Sequence, residues 1–186
     1  MSLTAHVATA SINQTVGDWT GNRRRISEAI TEARRRGVKL LALPEMVIPG
    51  YSLGDRLLMP GTLHRSWQML RDLTAETAGM VVILGLPVRH RDVLYNVAAV
   101  LADGNIVGLV PKENLATGDV QYENRWFAGW PRIRVETFTT PEGAEIPFGG
   151  LMFRAKGLST FAIEICEDGW KGIRPGSAYT LSLIHI

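Results

Sequence analysis

Cysteine is almost missing from this 186-residue sequence, where Cys166 stands alone. An internal disulfide is thereby excluded, as is any CxxC redox or zinc motif, and the four histidines show no HxxxH spacing. Long apolar runs are missing too. No stretch approaches the roughly 20 residues that a membrane helix needs, and the opening MSLTAHVATAS has no charged region ahead of an apolar one, so no secretory leader is expected. The expectation is a soluble, unexported, cytoplasmic chain. Neither sign of charge dominates: 20 basic and 18 acidic residues leave a net charge of +2, too little to draw in a polyanion, and nucleic acid is not implied. Internal repeats and low-complexity linkers are also lacking, so one domain is the simplest count. What is present is ordinary globular material, 46% hydrophobic and 20% charged, enough for one core.

The patterning alternates between strand and helix. Residues 3 to 10 alternate and predict an opening strand, with turn residues at Gly17 and Asp18. Ile26, Ala29, Ile30 and Ala33 fall at helical spacing within a helix expected over 22–36, and Gly37 is a ready left-handed cap. Val38 to Leu43 is an almost fully apolar run of the kind a strand buried on both faces shows, ended by Pro44. A second helix is expected over 63–78 and a strand over 80–86. Residues 93–101 and 106–110, joined through Asp103 and Gly104, read as a hairpin. Beyond Asn114 the prolines at 131, 141 and 147 mark loops around short strands near 133–138 and 149–153. Alternation then returns over 158–165, just ahead of Cys166. Such an order predicts a layered α/β domain, with reactive groups where strands run out into loops.

Three ionisable residues stand at such strand ends: Glu45, Lys112 and Cys166. Amide hydrolysis by a thiol needs a nucleophile, a base that takes the thiol proton and returns it to the departing ammonia, and a positive group facing the oxyanion. A cysteine, a carboxylate and an ammonium supply all three, with the backbone N–H of Glu167 as a second oxyanion donor.

The segments LPEMVIPGY, VPKENL and IEICEDGW occur in this order and resemble the Glu-Lys-Cys signature of the nitrilase superfamily. More narrowly, CED followed by Gly169 and Trp170, together with YENRWF, looks like the glutaminase domain of glutamine-dependent NAD synthetases. ASINQTVGDWTGN and LYNVAAVLADGNIVG agree with that family's opening strand and hairpin. The resemblance implies an α/β fold, a nitrilase-type α-β-β-α sandwich incomplete at its C-terminus, with residues 1–180 forming a partial carbon-nitrogen hydrolase domain. It implies hydrolysis of glutamine to glutamate and ammonia, and delivery of that ammonia to ATP-dependent amidation of nicotinic acid adenine dinucleotide, giving NAD. Glu45 is then the base, Lys112 the oxyanion stabiliser and Cys166 the nucleophile. Glu123 corresponds to the family's second, structural glutamate and is placed with Glu167 on the substrate side, Glu167 helping to hold the α-amino group.

The implied partners are glutamine, a synthetase domain and further copies of the same chain. ATP and magnesium are expected only with the synthetase domain, because neither an SGG-type loop nor GxxxxGK[ST] occurs here. Gly169 departs from the family, which usually has a bulkier apolar residue there. A carbon-nitrogen hydrolase acting alone on another small amide, or a non-catalytic domain of the same fold, stays open on the sequence. The tail LSLIHI, 181–186, is the in-frame translation of a transposon-end adapter used in sequencing libraries, and is expected to be an artefact.

Plainer readings compete for several residues. A single strand-end cysteine is more often core packing, but Glu164, Glu167 and Asp168 crowd polar groups around Cys166 in a way that a buried thiol does not require. Glu123 could instead pair with Arg125. The triplets Arg23 to Arg25 and Arg34 to Arg36 flank an apolar helical stripe and read as a solvated face. Trp126, Trp130 and Trp170 are expected in core before any pocket, and no histidine can be placed beside Cys166.

Overall fold

The computed structural model describes residues 4–118 and 120–184. Leu3, where the expected first strand begins, and His185 and Ile186 of the suspected tail lie outside the described residues.

Helix α1 (Trp19–Arg35) starts three residues earlier than the apolar period predicts, because Asp18 caps it. The Asp18 carboxylate accepts the Gly21 N–H at 2.9 Å, satisfying a donor that an uncapped first turn would leave open. Gly37, at φ +70°, closes the other end as expected. The arginine triplets find acids on or beside the helix: Arg24 pairs with Glu28, Arg35 and Arg36 with Glu32, and Arg23 with Asp72 and Glu76. Helix α2 (Pro60–Thr74) starts with proline in its first turn, where no N–H is missed. It stops short of the expected Ala78 because Thr77 Oγ1 donates back to the Thr74 carbonyl and accepts from Gly104 N–H, competing with the helical pattern.

Seven strands form one sheet: β1 (Val7–Thr9), β2 (Leu40–Ala42), β3 (Val81–His90), β4 (Val93–Ala102), β5 (Asn105–Pro111), β6 (Val135–Thr139) and β7 (Glu145–Gly149), in the order β1-β2-β3-β4-β5-β7-β6. The pairs β1–β2 and β2–β3 are parallel, while β3–β4 and β4–β5 are antiparallel hairpins. Both hairpins turn through two residues of positive φ, Arg91-Asp92 and Asp103-Gly104. The sequence predicted only the second, since it ended β3 before Pro87. β2 pairs with β3 only at Val81 to Ile83, so no strand pairs with that side of β3 at Pro87, where proline is tolerated. β7 was likewise hidden behind Pro147, which sits inside it.

Alternate residues of β3 serve two cores. Val82, Leu84 and Leu86 pack under the helices with Ile26, Ile30, Leu70 and Leu73, while Val81 and Ile83 join Ala98, Val100, Phe153 and Ile165 on the other face. Burial on both sides is why the run reads as continuously apolar. The second face is covered by a small sheet of β8 (Met152–Arg154) and β9 (Thr160–Ala162). The helix layer, the large sheet and the small sheet reproduce the layered α/β fold predicted. Helix α3 (Pro175–Ile184) follows and packs on the turn after Cys166. β9 is shorter than the alternation over 158–165 suggests, because its ladder with β8 ends at Ala162. Cys166 therefore stands several residues beyond the strand.

Ile30 is fully buried at the centre of the helix-to-sheet interface. Ile30→Ala is expected to lower unfolding stability by about 2–5 kcal/mol, read as a lower urea midpoint with unchanged slope. A midpoint within error of the parent chain would contradict this packing.

Candidate active site

Glu45 is delivered by the segment that leaves β2. Leu43 N–H donates to Ile83 O at 2.8 Å and Ile48 N–H to Gly85 O at 3.2 Å, so the segment lies directly on β3. Gly85 makes this approach possible, since a Cβ there would stand 2.2 Å from Met46 N. Met46 itself takes φ +53° to complete the bend.

Lys112 leaves β5 with its backbone N–H on Asn96 O at 2.8 Å and its carbonyl accepting Trp130 N–H at 2.9 Å. Its side chain is fully buried. A bare ammonium would not survive there, and two carboxylates meet it: Nζ donates to Glu45 Oε1 and to Glu123 Oε2, each at 2.7 Å. Burial alone would strip its proton, yet the Glu45 charge and the bonds to both glutamates outweigh that and hold the ammonium above its usual value. Asn96 closes the circuit, its Nδ2 donating to Glu45 Oε1 at 2.7 Å and Glu123 Oε1 at 3.0 Å.

Glu123 sits in a short 3₁₀ turn, Glu123–Arg125, and is buried. It also accepts Ala116 N–H at 2.6 Å and the Tyr51 hydroxyl at 3.0 Å. Four donors on its two oxygens leave it a holding part rather than a surface for a ligand. Arg125, the partner considered for it from sequence, pairs with Asp55 instead. The Tyr51 phenol is raised above its usual value by burial and by the nearby charges of Glu123 and Glu45, so it stays a donor.

Cys166 opens a 3₁₀ turn, Cys166–Trp170, at φ +48°, a left-handed conformation rare for a side chain of its kind. Buried Asp168 fixes that turn. Its carboxylate accepts Ile165 N–H at 3.2 Å on the Cys166 side and Asn114 N–H at 2.7 Å on the segment after Lys112. Cys166 is exposed, and it lines a cavity of about 470 Å³ with Glu45, Asn96, Ile83, Ala98 and Ile163, within the range usual for small-ligand sites. A larger cavity of about 660 Å³, lined by Lys39, Val100, Asp103 and Phe153 among others, holds none of these groups. Burial pushes the Cys166 thiol up, the Glu45 charge and hydrogen bond push further, and Lys112 only partly offsets them.

Glu167 is placed otherwise, its carboxylate on Lys171 Nζ at 2.7 Å. Trp130 is buried as expected, whereas Trp170 is exposed. His90 pairs with Glu136 at 2.8 Å among aromatic rings and does not line the Cys166 cavity. Sequence reasoning passed over Asn96, Tyr51 and Gly85. Asn96 carried a signal, as the one amide in an otherwise apolar stretch of β4.

Residues 6–172 match the family model for carbon-nitrogen hydrolase. The chain is 32% identical over 197 residues to the glutamine-dependent NAD(+) synthetase of Saccharomyces cerevisiae, an alignment covering 100% of this chain and 27% of that protein. It is 37% identical over 143 residues to the enzyme of that name from Dictyostelium discoideum, covering 74% and 20%. Among solved structures, the glutamine-dependent NAD(+) synthetase from Cytophaga hutchinsonii superposes with a TM-score of 0.85 at 34% identity, covering 88% of this chain and 28% of that one. An amidase from Nesterenkonia sp. shares the fold, with a TM-score of 0.66 at 16% identity over 88% of this chain and 56% of that one. The chain thus spans under a third of the length of the synthetases it matches.

With a single cysteine, alkylation by iodoacetamide reports on Cys166 alone. Its pH midpoint is expected above the ordinary thiol value of about 8.5. Because a neighbouring negative charge disfavours thiolate, Glu45→Gln should lower that midpoint. Lys112→Met should cost about 3–5 kcal/mol in chemical denaturation by stranding the buried Glu123 carboxylate and the half-buried one of Glu45. A midpoint below that of a free thiol would be incompatible with the charge balance described.

Proposed function

The chain belongs to the carbon-nitrogen hydrolase family, and on that premise we propose that it hydrolyses the side-chain amide of glutamine to glutamate and ammonia. The observation that carries this reading is that the Cys166 thiol and the Glu45 carboxylate line one cavity, while Glu45 is hydrogen-bonded to the Lys112 ammonium that Glu123 also holds.

Each group has a task that its surroundings suit. The raised thiol is neutral at rest, so attack on the amide carbon is coupled to transfer of the thiol proton to Glu45. Lys112 has three N–H donors and spends two on the glutamates. The third is available to the oxyanion, beside the Glu167 backbone N–H. Glu45 then gives its proton to the departing nitrogen, the C–N bond breaks, and ammonia leaves a thioester on Cys166. Water, losing a proton to the same carboxylate, adds to the thioester; the C–S bond breaks, glutamate departs and the sulfur recovers its proton. Glu123 holds Lys112 and Tyr51 in place through this cycle. Glu167 stays the candidate for the substrate's ammonium, which requires that it exchange Lys171 for the ligand.

The relatives are named glutamine-dependent NAD(+) synthetases, which supports glutamine as the amide. On this reading the ammonia would serve the ATP-dependent amidation of nicotinic acid adenine dinucleotide to NAD, with ATP and magnesium acting in a synthetase domain outside these residues. Among the described residues no helix is long and apolar enough to cross a membrane.

Glutamate release from glutamine is expected to be saturable and to vanish in Cys166→Ala, while Glu45→Gln should lower kcat by about 10²- to 10⁴-fold. Parallel assays with asparagine and simple aliphatic amides separate a glutaminase from an amidase of other specificity. Turnover that survives Cys166→Ala would remove the thiol from the reaction.

A further inference from the structure

We propose that Asn96 is a positioning residue of this site: its side-chain amide bridges Glu45 and Glu123 and fixes which oxygen of Glu45 is left to take the thiol proton. Its geometry is specific. Nδ2 donates to both carboxylates, at 2.7 and 3.0 Å, while the backbone carbonyl of the same residue receives Lys112 N–H at 2.8 Å. One residue at the middle of the sheet thus touches all three members of the charged cluster.

Among the described residues, the N–H donors of Asn96 and Lys112 both land on Oε1 of Glu45. Neither takes Oε2. Two fixed donors on one oxygen set the carboxylate's rotation and leave Oε2 as the oxygen that faces proton transfer.

A packing role would account for the burial but not for the chemistry. Asn96 is almost fully buried, and its Oδ1 is buried without a hydrogen-bond partner among the described residues. That unmet acceptor is a cost a leucine of similar size would not incur. Turning the amide over would satisfy nothing, since it would set Oδ1 against two carboxylates. The orientation is dictated by the glutamates, and a neutral donor is the one group that can bridge them without adding charge. The charge balance agrees, because Glu45 acts on the Cys166 thiol by charge and by hydrogen bonding, and both depend on where its oxygens are held.

The test is Asn96→Leu, which keeps volume and removes the donors, with Asn96→Ser as a second variant should the first fail to fold by circular dichroism. The pH midpoint of iodoacetamide alkylation at Cys166 is expected to fall towards that of a free thiol. With glutamine, kcat should fall about tenfold or more with KM within about twofold. An unmoved midpoint overturns the proposal whatever happens to kcat. In the unsubstituted chain, the Asn96 side-chain amide hydrogens should exchange with solvent far more slowly than those of free asparagine. Free-like exchange overturns it without any variant. Only the kinetic arm rests on the glutaminase reading. A parent chain that turns over no glutamine would sink that reading, and the alkylation and exchange measurements would still decide the role of Asn96.

Discussion

A buried ammonium is the constraint around which the rest of this site is arranged. Lys112 is withdrawn wholly from solvent, and a cation in that position is tolerable only if opposite charge and hydrogen bonds replace its lost hydration. Two carboxylates do so, and their own repulsion must then be managed. Asn96 lies between them as a neutral donor, and Tyr51 and the Ala116 N–H take up more of the charge on Glu123. The network is closed, so none of its members can be read separately from the others.

Burial first, and that network after it, set the state of the thiol. The cluster of Glu45, Glu123 and Lys112 carries more negative than positive charge, and Cys166 sits against it. A thiol beside an imidazolium or a helix N-terminus has its proton drawn off in advance. Here the surroundings do the reverse and keep the proton on sulfur. On the proposed reading a neutral thiol needs a base in contact at the moment of attack, and the orientation of the Glu45 carboxylate then matters more than its mere presence. The same cluster also makes the resting thiol a poor target for adventitious electrophiles, despite its exposure.

Much of this was legible in the sequence, for physical reasons that differ by element. The helix carrying Ile26 and Ile30 and the Asp103-Gly104 hairpin announce themselves through period and turn chemistry, and both formed where expected. Pro87 and Pro147 misled, because proline was read as a strand terminator and both lie within strands whose pairing is sparse at that point. Glu45, Lys112 and Cys166 were visible because each is an ionisable residue at the end of an apolar run. Asn96 was not singled out, since a buried amide inside a strand shows its purpose only once its two carboxylate partners, 51 and 27 residues away along the chain, are seen around it.

Backbone strain marks the same places as the chemistry. Met46, next to Glu45, and Cys166 both adopt positive φ without being glycine, a conformation costing on the order of 1–3 kcal/mol each. Such conformations persist only where the surroundings over-determine them. The Glu45 segment is held by its hydrogen bonds to β3 across Gly85, where no side chain intervenes. The Cys166 turn is held by Asp168, whose carboxylate joins it to the segment just beyond Lys112. Glu45 and Cys166 are thus fastened by unrelated devices, one to β3 and the other to the segment beyond β5, and Lys112, one residue past the end of β5, is bonded to Glu45. Each of these two short segments is bonded either to a strand or to the segment that leaves one, which is what allows groups so far apart in sequence to meet.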